Sequence, residues 1–271
     1  MIAMTKTARN GRQTLLFAAI LFISTQNFAQ GPSGWRLEKM PVDLETDYAL
    51  SALPPHLRND ATLYLLDPQK GYYIARRGTN GYICFISRTE WEWSEFRDDV
   101  CTPISFDAEG ARAIFPVYMA VAEMRASGKY QASQIRDSIV SRINAGDYKA
   151  PSKPGMSYML APVMRVYPAG PDVKEPVTVS MPHYMLYAPY LTKENSRYKP
   201  GTEGLFLANP DNSILGDGKG PYGYIIVPAG ETEKAIIVED GKQLLKRLAA
   251  YKAYFQIEAG GGHHHGQTAD N

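Results

Sequence analysis

The segment Met181–Tyr187 has the residue types that come closest to a ligand site. In an extended strand, alternate side chains share one face. That face carries Met181, His183, Met185 and Tyr187. An imidazole between two thioethers is a soft donor set that suits Cu(I), and a neutral imidazole can also accept a proton. The alternative is structural, because methionines fill irregular core gaps and a histidine among them is usually hydrogen-bonded.

A second candidate is the aromatic and acidic segment that begins at Glu90. It places Trp91 and Trp93 among the carboxylates of Glu90, Glu92 and Glu95. Exposed indole faces beside carboxylates suit carbohydrate recognition, and a pair of carboxylates could cleave a glycosidic bond. Tryptophans are also common core residues of a small lobe. Glu90, Trp91 and Trp93 are therefore ligand-binding candidates, with core packing as the alternative.

The motifs that would identify an enzyme are missing. The chain has no Gly-x-Ser-x-Gly elbow, no His-Glu-x-x-His helix and no loop ending in Gly-Lys-Ser/Thr. His56 and His183 are the two histidines outside the C-terminal tail, and nothing singles out one serine as a nucleophile. The glycine-rich run 216–220 precedes a predicted strand, whereas a phosphate loop opens a helix. The sequence leaves the question of catalysis open.

The two cysteines predict one disulfide bond. Cys84 and Cys101 are the only cysteines, and an exported chain folds where disulfides form and persist. Closing a loop of about 15 residues would stabilise the fold by roughly 3 kcal/mol. The alternative is two separate buried thiols that act as small hydrophobic side chains.

Residues 1–29 have the layout of a secretory signal peptide. Lys6, Arg9 and Arg12 precede an apolar run at 15–23, and Ala29 supplies a small residue at the end. A spanning helix needs roughly 20 apolar residues, so a permanent anchor is the minority interpretation. We expect an exported protein, periplasmic or secreted, with no membrane insertion after the leader is removed.

The composition is that of a globular protein without a strong electrostatic preference. Hydrophobic residues make up 44% and charged residues 21%, and 29 basic residues nearly balance 28 acidic ones. This balance does not favour nucleic acid or an anionic membrane surface as a partner. Residues 30–258 suit a single globular domain, and residues 259–271, with His263–His265, predict a disordered tail.

Extended runs and helical periodicity predict the fold class. Runs at 61–66, 71–77 and 82–88 predict an antiparallel meander, with Asn80-Gly81 as the hairpin turn between the last two. Helices are expected at 43–58, 108–127, 134–145 and 231–256, with N-caps at Asp107 and Ser133 and a break at Gly241. Shorter strands are expected at 157–161, 164–167, 181–190, 205–207 and 224–227. Because strands and helices do not alternate regularly, we predict an α+β fold: a mainly antiparallel sheet packed against two or three helices in one domain.

Four stretches of the chain resemble a group of uncharacterised exported bacterial proteins. They are LPPHLRNDATLYLLDPQKGYYIARRGTNGYICFISRTEW, CTPISFDAEGARAIFP, MPHYMLYAPY and YGYIIVP. The resemblance implies that these segments form one domain. It implies no activity, cofactor or catalytic residue.

The sequence favours an exported binding or accessory protein that is not catalytic. Its ligand would be a small molecule, a glycan or an envelope protein, and no cofactor is expected. One alternative is a hydrolase acting on envelope polymers or sugars. The other is a periplasmic copper-binding protein that uses Met181, His183 and Met185.

Overall fold

The computed structural model describes residues 36–93, 96–167, 175–191, 206–208 and 220–257, without the side chains of Trp93 and residues 206–208. All of these residues belong to one compact unit, Pro32–Asn271. The predicted signal peptide, residues 216–219 of the glycine-rich run and the histidine tail lie outside the described residues.

Seven α-helices occur in the described part of the chain. They are α1 Val42–Leu50, α2 Pro55–Arg58, α3 Ala108–Ala113, α4 Phe115–Ala126, α5 Ala132–Asn144, α6 Glu231–Asp240 and α7 Lys242–Tyr251. Short 3-10 helices occur at Trp91–Trp93 and Ala253–Phe255. None of these helices has the length and apolar character needed to cross a bilayer.

Some helix boundaries follow the expected signals and others do not; the predicted helix at 43–58, for example, is two helices, α1 and α2. Asp107 caps α3, because its Oδ1 accepts the N–H of Gly110 at 2.9 Å. The predicted helix at 108–127 is divided at Ile114, where Pro116 fits the first turn of a new helix but cannot continue the old one. Gly241 separates α6 from α7 as predicted. Ser133 is not the cap of α5; Gln131 and Gln134 form a capping box there instead.

Ten strands form three sheets among the described residues. They are β1 Thr62–Asp67, β2 Gly71–Arg76, β3 Ile83–Ser87, β4 Thr102–Phe106, β5 Met156–Met159, β6 Met164–Val166, β7 Val177–Val179, β8 His183–Tyr187, β9 Phe206–Ala208 and β10 Tyr224–Pro228. The first sheet has the order β2-β1-β3-β4, the second β5-β8-β10-β9, and β6 pairs with β7. Every strand pair is antiparallel except β1–β3. The α+β prediction is confirmed.

The predicted meander of the first three strands is wrong. β1 and β2 form a hairpin, but β3 pairs in parallel with β1, so β2 becomes the edge of the sheet. The Asn80-Gly81 pair does not make a two-residue hairpin turn. Asn80 instead donates its side-chain amide to the carbonyl of Leu57 and accepts the N–H of Tyr82. Both bonds direct the chain past the start of β1 to its other side.

Gly78 allows this crossing. A Cβ at this position would lie 2.2 Å from the carbonyl oxygen of Asp60 and 2.4 Å from the N of Thr62, both backbone atoms. Neither atom can move aside as a flexible side chain would. The close approach therefore requires glycine, and the hairpin signal at Asn80-Gly81 is overridden by these tertiary contacts.

Two hydrophobic clusters cover the two faces of the first sheet. Leu63, Leu65, Cys84 and Ile86 face α1 and α7, while Ile83 and Phe85 face α3 and α4. The second sheet joins the first through buried hydroxyl groups. Ser105 of β4 donates to the carbonyl of Tyr158 at 3.0 Å, and Ser157 of β5 donates to the carbonyl of Ser105.

The predicted Cys84–Cys101 disulfide is not formed. Both cysteines are free thiols and both are 0% exposed. The β3–β4 register sets Cys84 opposite Ser105, whereas Cys101 precedes β4 and pairs with Arg165. Four residues of strand separate Ser105 from Cys101, roughly 13 Å, and disulfide-bonded cysteines have Cα atoms within about 7 Å. The alternative of two buried thiols holds.

We predict that neither thiol reacts while the protein is folded. Burial raises the pKa of Cys84 to about 12 and also raises the pKa of Cys101, so little thiolate is present near neutral pH. Ellman's reagent should label no cysteine in the native protein and two after unfolding without reductant. Absence of labelling after unfolding would show that a disulfide exists.

Candidate binding surface

The strand that carries the predicted ligand site lies in the middle of the second sheet. β8 pairs with β5 on one side and β10 on the other, and its inner face carries His183, Met185 and Tyr187. The predicted sharing of one strand face is confirmed for these three residues. Met181 precedes the strand and packs against the same cluster as Met185.

His183 is a buried residue with a hydrogen-bond partner. It is 3% exposed, and its Nδ1 lies 2.7 Å from the carbonyl oxygen of Met181. Burial lowers the pKa of His183, so the imidazole is neutral at physiological pH. The described residues contain no group of three His, Cys, Asp or Glu side chains arranged to hold a metal. The copper site, which depends on the thioethers of Met181 and Met185, stays a prediction.

Hydrogen bonds of Tyr187 and Asp107 join β8, β5 and the start of α3. Its hydroxyl lies 3.0 Å from Oδ1 of Asp107 and 3.0 Å from the carbonyl oxygen of Met156. Asp107 also accepts the N–H of Met156 at 2.9 Å, in addition to capping α3. Burial, assisted by the Asp107 carboxylate, raises the pKa of Tyr187. The hydroxyl is thus engaged in joining β5, β8 and the start of α3.

The aromatic segment packs into the interior. Trp91 is 5% exposed and lies in a cluster with Ile135 and Ile139 of α5. Glu90 is half-buried, and the side chain of Trp93 lies outside the described part. Burial raises the pKa of Glu92 to about 7. The structure therefore places Trp91 in the core, as the structural alternative expected.

Two buried arginines hold the loop that contains this segment. Arg88 donates to the carbonyl oxygens of Val100 at 3.0 Å and Asp98 at 2.6 Å. Arg125 of α4 donates to the carbonyl oxygens of Arg88 at 2.8 Å and Arg97 at 2.9 Å. Burial and the neighbouring Arg88 lower the pKa of Arg125, but a guanidinium starts so high that it stays charged. These bonds fasten the loop that the disulfide was expected to fasten.

The opposite side of the second sheet is apolar and partly open to solvent. Its two rows of directly paired residues, which we call the outer face, are Met156–Leu186–Ile225 and Tyr158–Tyr184–Val227. All six side chains are half-buried or exposed, and Leu186 is 39% exposed. Soluble proteins rarely leave a contiguous apolar patch uncovered unless it contacts something.

A continuous row of tyrosines runs from Tyr82, beside β3, onto the outer face. The ring of Tyr158 lies 5.7 Å from that of Tyr82 and 5.7 Å from that of Tyr184, centroid to centroid. Tyr184 donates its hydroxyl to Glu233 of α6, which borders the face. Burial, with help from Glu233, raises the pKa of Tyr184 to about 12, so the hydroxyl remains protonated. The face thus combines an apolar centre with a polar border.

A shallow depression of about 700 Å³ lies along α6. Its lining residues are Glu231, Thr232, Ala235, Ile236, Glu239 and Asp240. His183 and Glu90, either of which in a cleft would favour the hydrolase alternative, are not among them. Glu239 is neutralised by Lys242, whose Nζ lies 2.6 Å away. This helix side has the character of an ordinary solvated surface.

Comparisons with protein families, with curated proteins and with solved structures found no match. The candidate surface therefore depends on the geometry alone. The residues predicted from the sequence lie on the inner face of β8, whereas the candidate surface is its outer face. The signal for the outer face was present in the alternate positions Tyr184 and Leu186, which are as apolar as their neighbours.

We predict that Arg125→Lys lowers the free energy of unfolding by about 2 kcal/mol. A lysine ammonium cannot bond all the carbonyl oxygens that the planar guanidinium group of Arg125 bonds, so buried carbonyls are left unpaired. Arg136→Lys is the control, since Arg136 lies half-buried on α5 and its guanidinium bonds the side chain of the adjacent Asp137. Urea denaturation of both variants measures the difference. Equal stability of the two would contradict the structural role of Arg125.

A buried carboxyl group lies under the first sheet. Glu45 of α1 is 3% exposed, and its Oε1 accepts the N–H of Leu66 at 2.7 Å. Burial raises the pKa of Glu45 from 4.5 to about 7, against the opposing effects of the Leu66 bond and of Arg88. The folded protein therefore holds this proton more tightly than the unfolded chain does.

This difference predicts a pH dependence of stability. The contribution of Glu45 is complete below about pH 4.5 and is lost as the pH rises through about 7, a change of roughly 3 kcal/mol. Glu45→Gln keeps an acceptor for Leu66 and should flatten the fall in melting temperature between pH 5 and 8. Adding Glu92→Gln should flatten it further, whereas exposed Glu239→Gln should not. Parallel curves for wild type and Glu45→Gln would refute the assignment.

Proposed function

We propose that the protein is an exported, non-catalytic binding protein that contacts an envelope protein through the outer face. The observation that carries the proposal is the contiguous apolar face across β5, β8 and β10. Leu186, on the central strand β8, is 39% exposed in this face. Export is supported by the leader-like order of residues 1–29.

The chemistry of the face favours a protein partner over a sugar or a small molecule. Tyrosine and methionine are enriched in protein interfaces, where an apolar centre is surrounded by a polar rim. The outer face has this arrangement, since Tyr158, Tyr184 and Met156 lie beside aliphatic residues and Glu233 lies at the border. Four of its six side chains have no polar atom that could hydrogen-bond a sugar hydroxyl.

The positions of the candidate catalytic groups also support binding rather than turnover. His183 is engaged by the carbonyl of Met181, and Tyr187 is engaged by Asp107. Trp91 lies in the core, so it does not present an indole face to a glycan. Each of these residues has a structural task that accounts for its position.

A photo-crosslinking experiment tests the proposal. p-Benzoylphenylalanine would replace Leu186 in the full chain, expressed with its leader in an export-competent bacterium. Irradiation should give one discrete adduct, identified by mass spectrometry as an exported protein. The adduct should disappear when Tyr184→Ala removes the neighbouring ring.

Tyr130 is the matched control, because it is 40% exposed but lies between α4 and α5, outside the second sheet. The same probe at Tyr130 should not give that adduct. Identical adducts at both positions, or none at Leu186, would contradict the proposal. Turnover of a glycan or ester that is abolished by His183→Ala or Glu90→Gln would support the hydrolase instead.

A further inference from the structure

The edge of the first sheet offers a second surface, independent of the outer face. β2 pairs with β1 and, among the described residues, with no other strand. Alternate N–H and C=O groups of such an edge strand point away from the sheet and can pair with an added strand. Three consecutive β2 residues, Tyr73, Ile74 and Ala75, are exposed, with Tyr73 at 39% and Ile74 at 36%.

The register limits where a strand could be added. Leu63 pairs with Arg76 and Tyr64 with Ile74, so Ala75 is an extra, bulged residue. Regular pairing is thus confined to Gly71–Ile74, which we call the open edge. Arg76 turns back beyond the bulge, since its guanidinium donates to the carbonyls of Arg58 and Ala61.

The two ends of the open edge differ in charge. Arg77, which is exposed, follows its C-terminal end together with Arg76. At the N-terminal end, exposed Lys70 precedes Gly71, which pairs with Asp67 and lies beside Glu123 of α4, since a Cβ on Gly71 would be 3.1 Å from the Cγ of Glu123. The C-terminal end therefore carries two arginines, whereas the N-terminal end carries charges of both signs.

These features disfavour pairing of the open edge with the open edge of a second copy of the chain. Antiparallel pairing of two open edges about Tyr73 and Ile74 would bring the Lys70 end of each edge towards the Arg76-Arg77 end of the other copy. Like charges directly opposite on paired strands are destabilising. Flanking basic residues and a bulge are also the devices by which edge strands avoid pairing with themselves. An acidic strand meets no such obstacle.

We propose that the open edge binds an extended peptide segment of another protein by antiparallel strand addition, and that acidic residues precede the apolar centre of this segment. In an antiparallel pair, the N-terminal end of the added strand lies beside the C-terminal end of β2. The acidic residues would thus meet Arg77, while the main-chain hydrogen bonds of the open edge supply affinity. Ile74 and Tyr73 contact alternate side chains of the added strand.

Synthetic peptides and the mature full-length protein test this proposal. The first peptide has two glutamates followed by an alternating valine–threonine centre; the second has the same residues in reverse order; the third has lysines in place of glutamates. Fluorescence anisotropy should show at least tenfold tighter binding of the first peptide than of the third, and weaker binding of the second than of the first. Hydrogen exchange should show new protection at Gly71–Ile74.

Two further variants separate strand addition from nonspecific attraction. Arg77→Glu should reverse the preference between the glutamate and lysine peptides, whereas Arg136→Glu, at a half-buried position of α5, should not. Two N-methylated peptides are compared, one methylated at the odd-numbered residues and one at the even-numbered residues. Methylation of the N–H groups that face β2 should abolish binding, whereas methylation of the N–H groups that face solvent should not. Binding of both methylated peptides would overturn the proposal, because side chains alone would then hold the peptide.

Other outcomes would also overturn it. These are protection outside β2, equal binding of the acidic and lysine peptides, no binding at millimolar concentration, or a dimer in sedimentation velocity that Ile74→Lys abolishes. None of them depends on the Leu186 crosslink, so failure here leaves the outer face proposal standing, and the converse also holds.

Discussion

The buried guanidinium groups of Arg88 and Arg125 determine how the long connection between β3 and β4 is held. A charge inside a protein needs several partners, and here carbonyl oxygens of the connection itself supply them. The connection is thereby held at both ends, at Arg88 and at 97–100. Trp91 can then pack under α5, and β4 enters the sheet in a fixed register. Stability of the first sheet and burial of the aromatic segment thus share one cause.

Helices were largely predictable because their signals are local. Asp107 caps its helix through a neighbour three residues away, and Gly241 divides the last helical stretch where the sequence indicates. The periodicity of β8 was also legible, since His183, Met185 and Tyr187 share a face. Periodicity did not reveal which face of β8 is internal. Tyr184 and Leu186 on one face are as apolar as His183, Met185 and Tyr187 on the other. Only the packing of Met185 against the first sheet's cluster decides that.

Long-range features escaped prediction for a physical reason. The disulfide inference used the separation of Cys84 and Cys101 in sequence, but the register of two strands sets their distance. The meander inference used the hairpin signal of Asn80-Gly81, but hydrogen bonds from Asn80 to Leu57 and Tyr82 give those residues another role. In both cases the deciding partner lies in another element. The outer face was missed likewise, because three strands from distant parts of the chain compose it.

The crossing at Gly78 also affects the tendency of the chain to aggregate. The segment 77–82 lies across the start of β1 and carries the chain from one side of β1 to the other. Any side chain at position 78 would block that passage at the backbone of Asp60–Thr62. β3 would then be left with five buried-type positions, Ile83–Ser87, and no neighbour on the β1 side. Such a strand is a template for intermolecular pairing. A single methyl group at this site would therefore favour aggregation over a merely weakened native state.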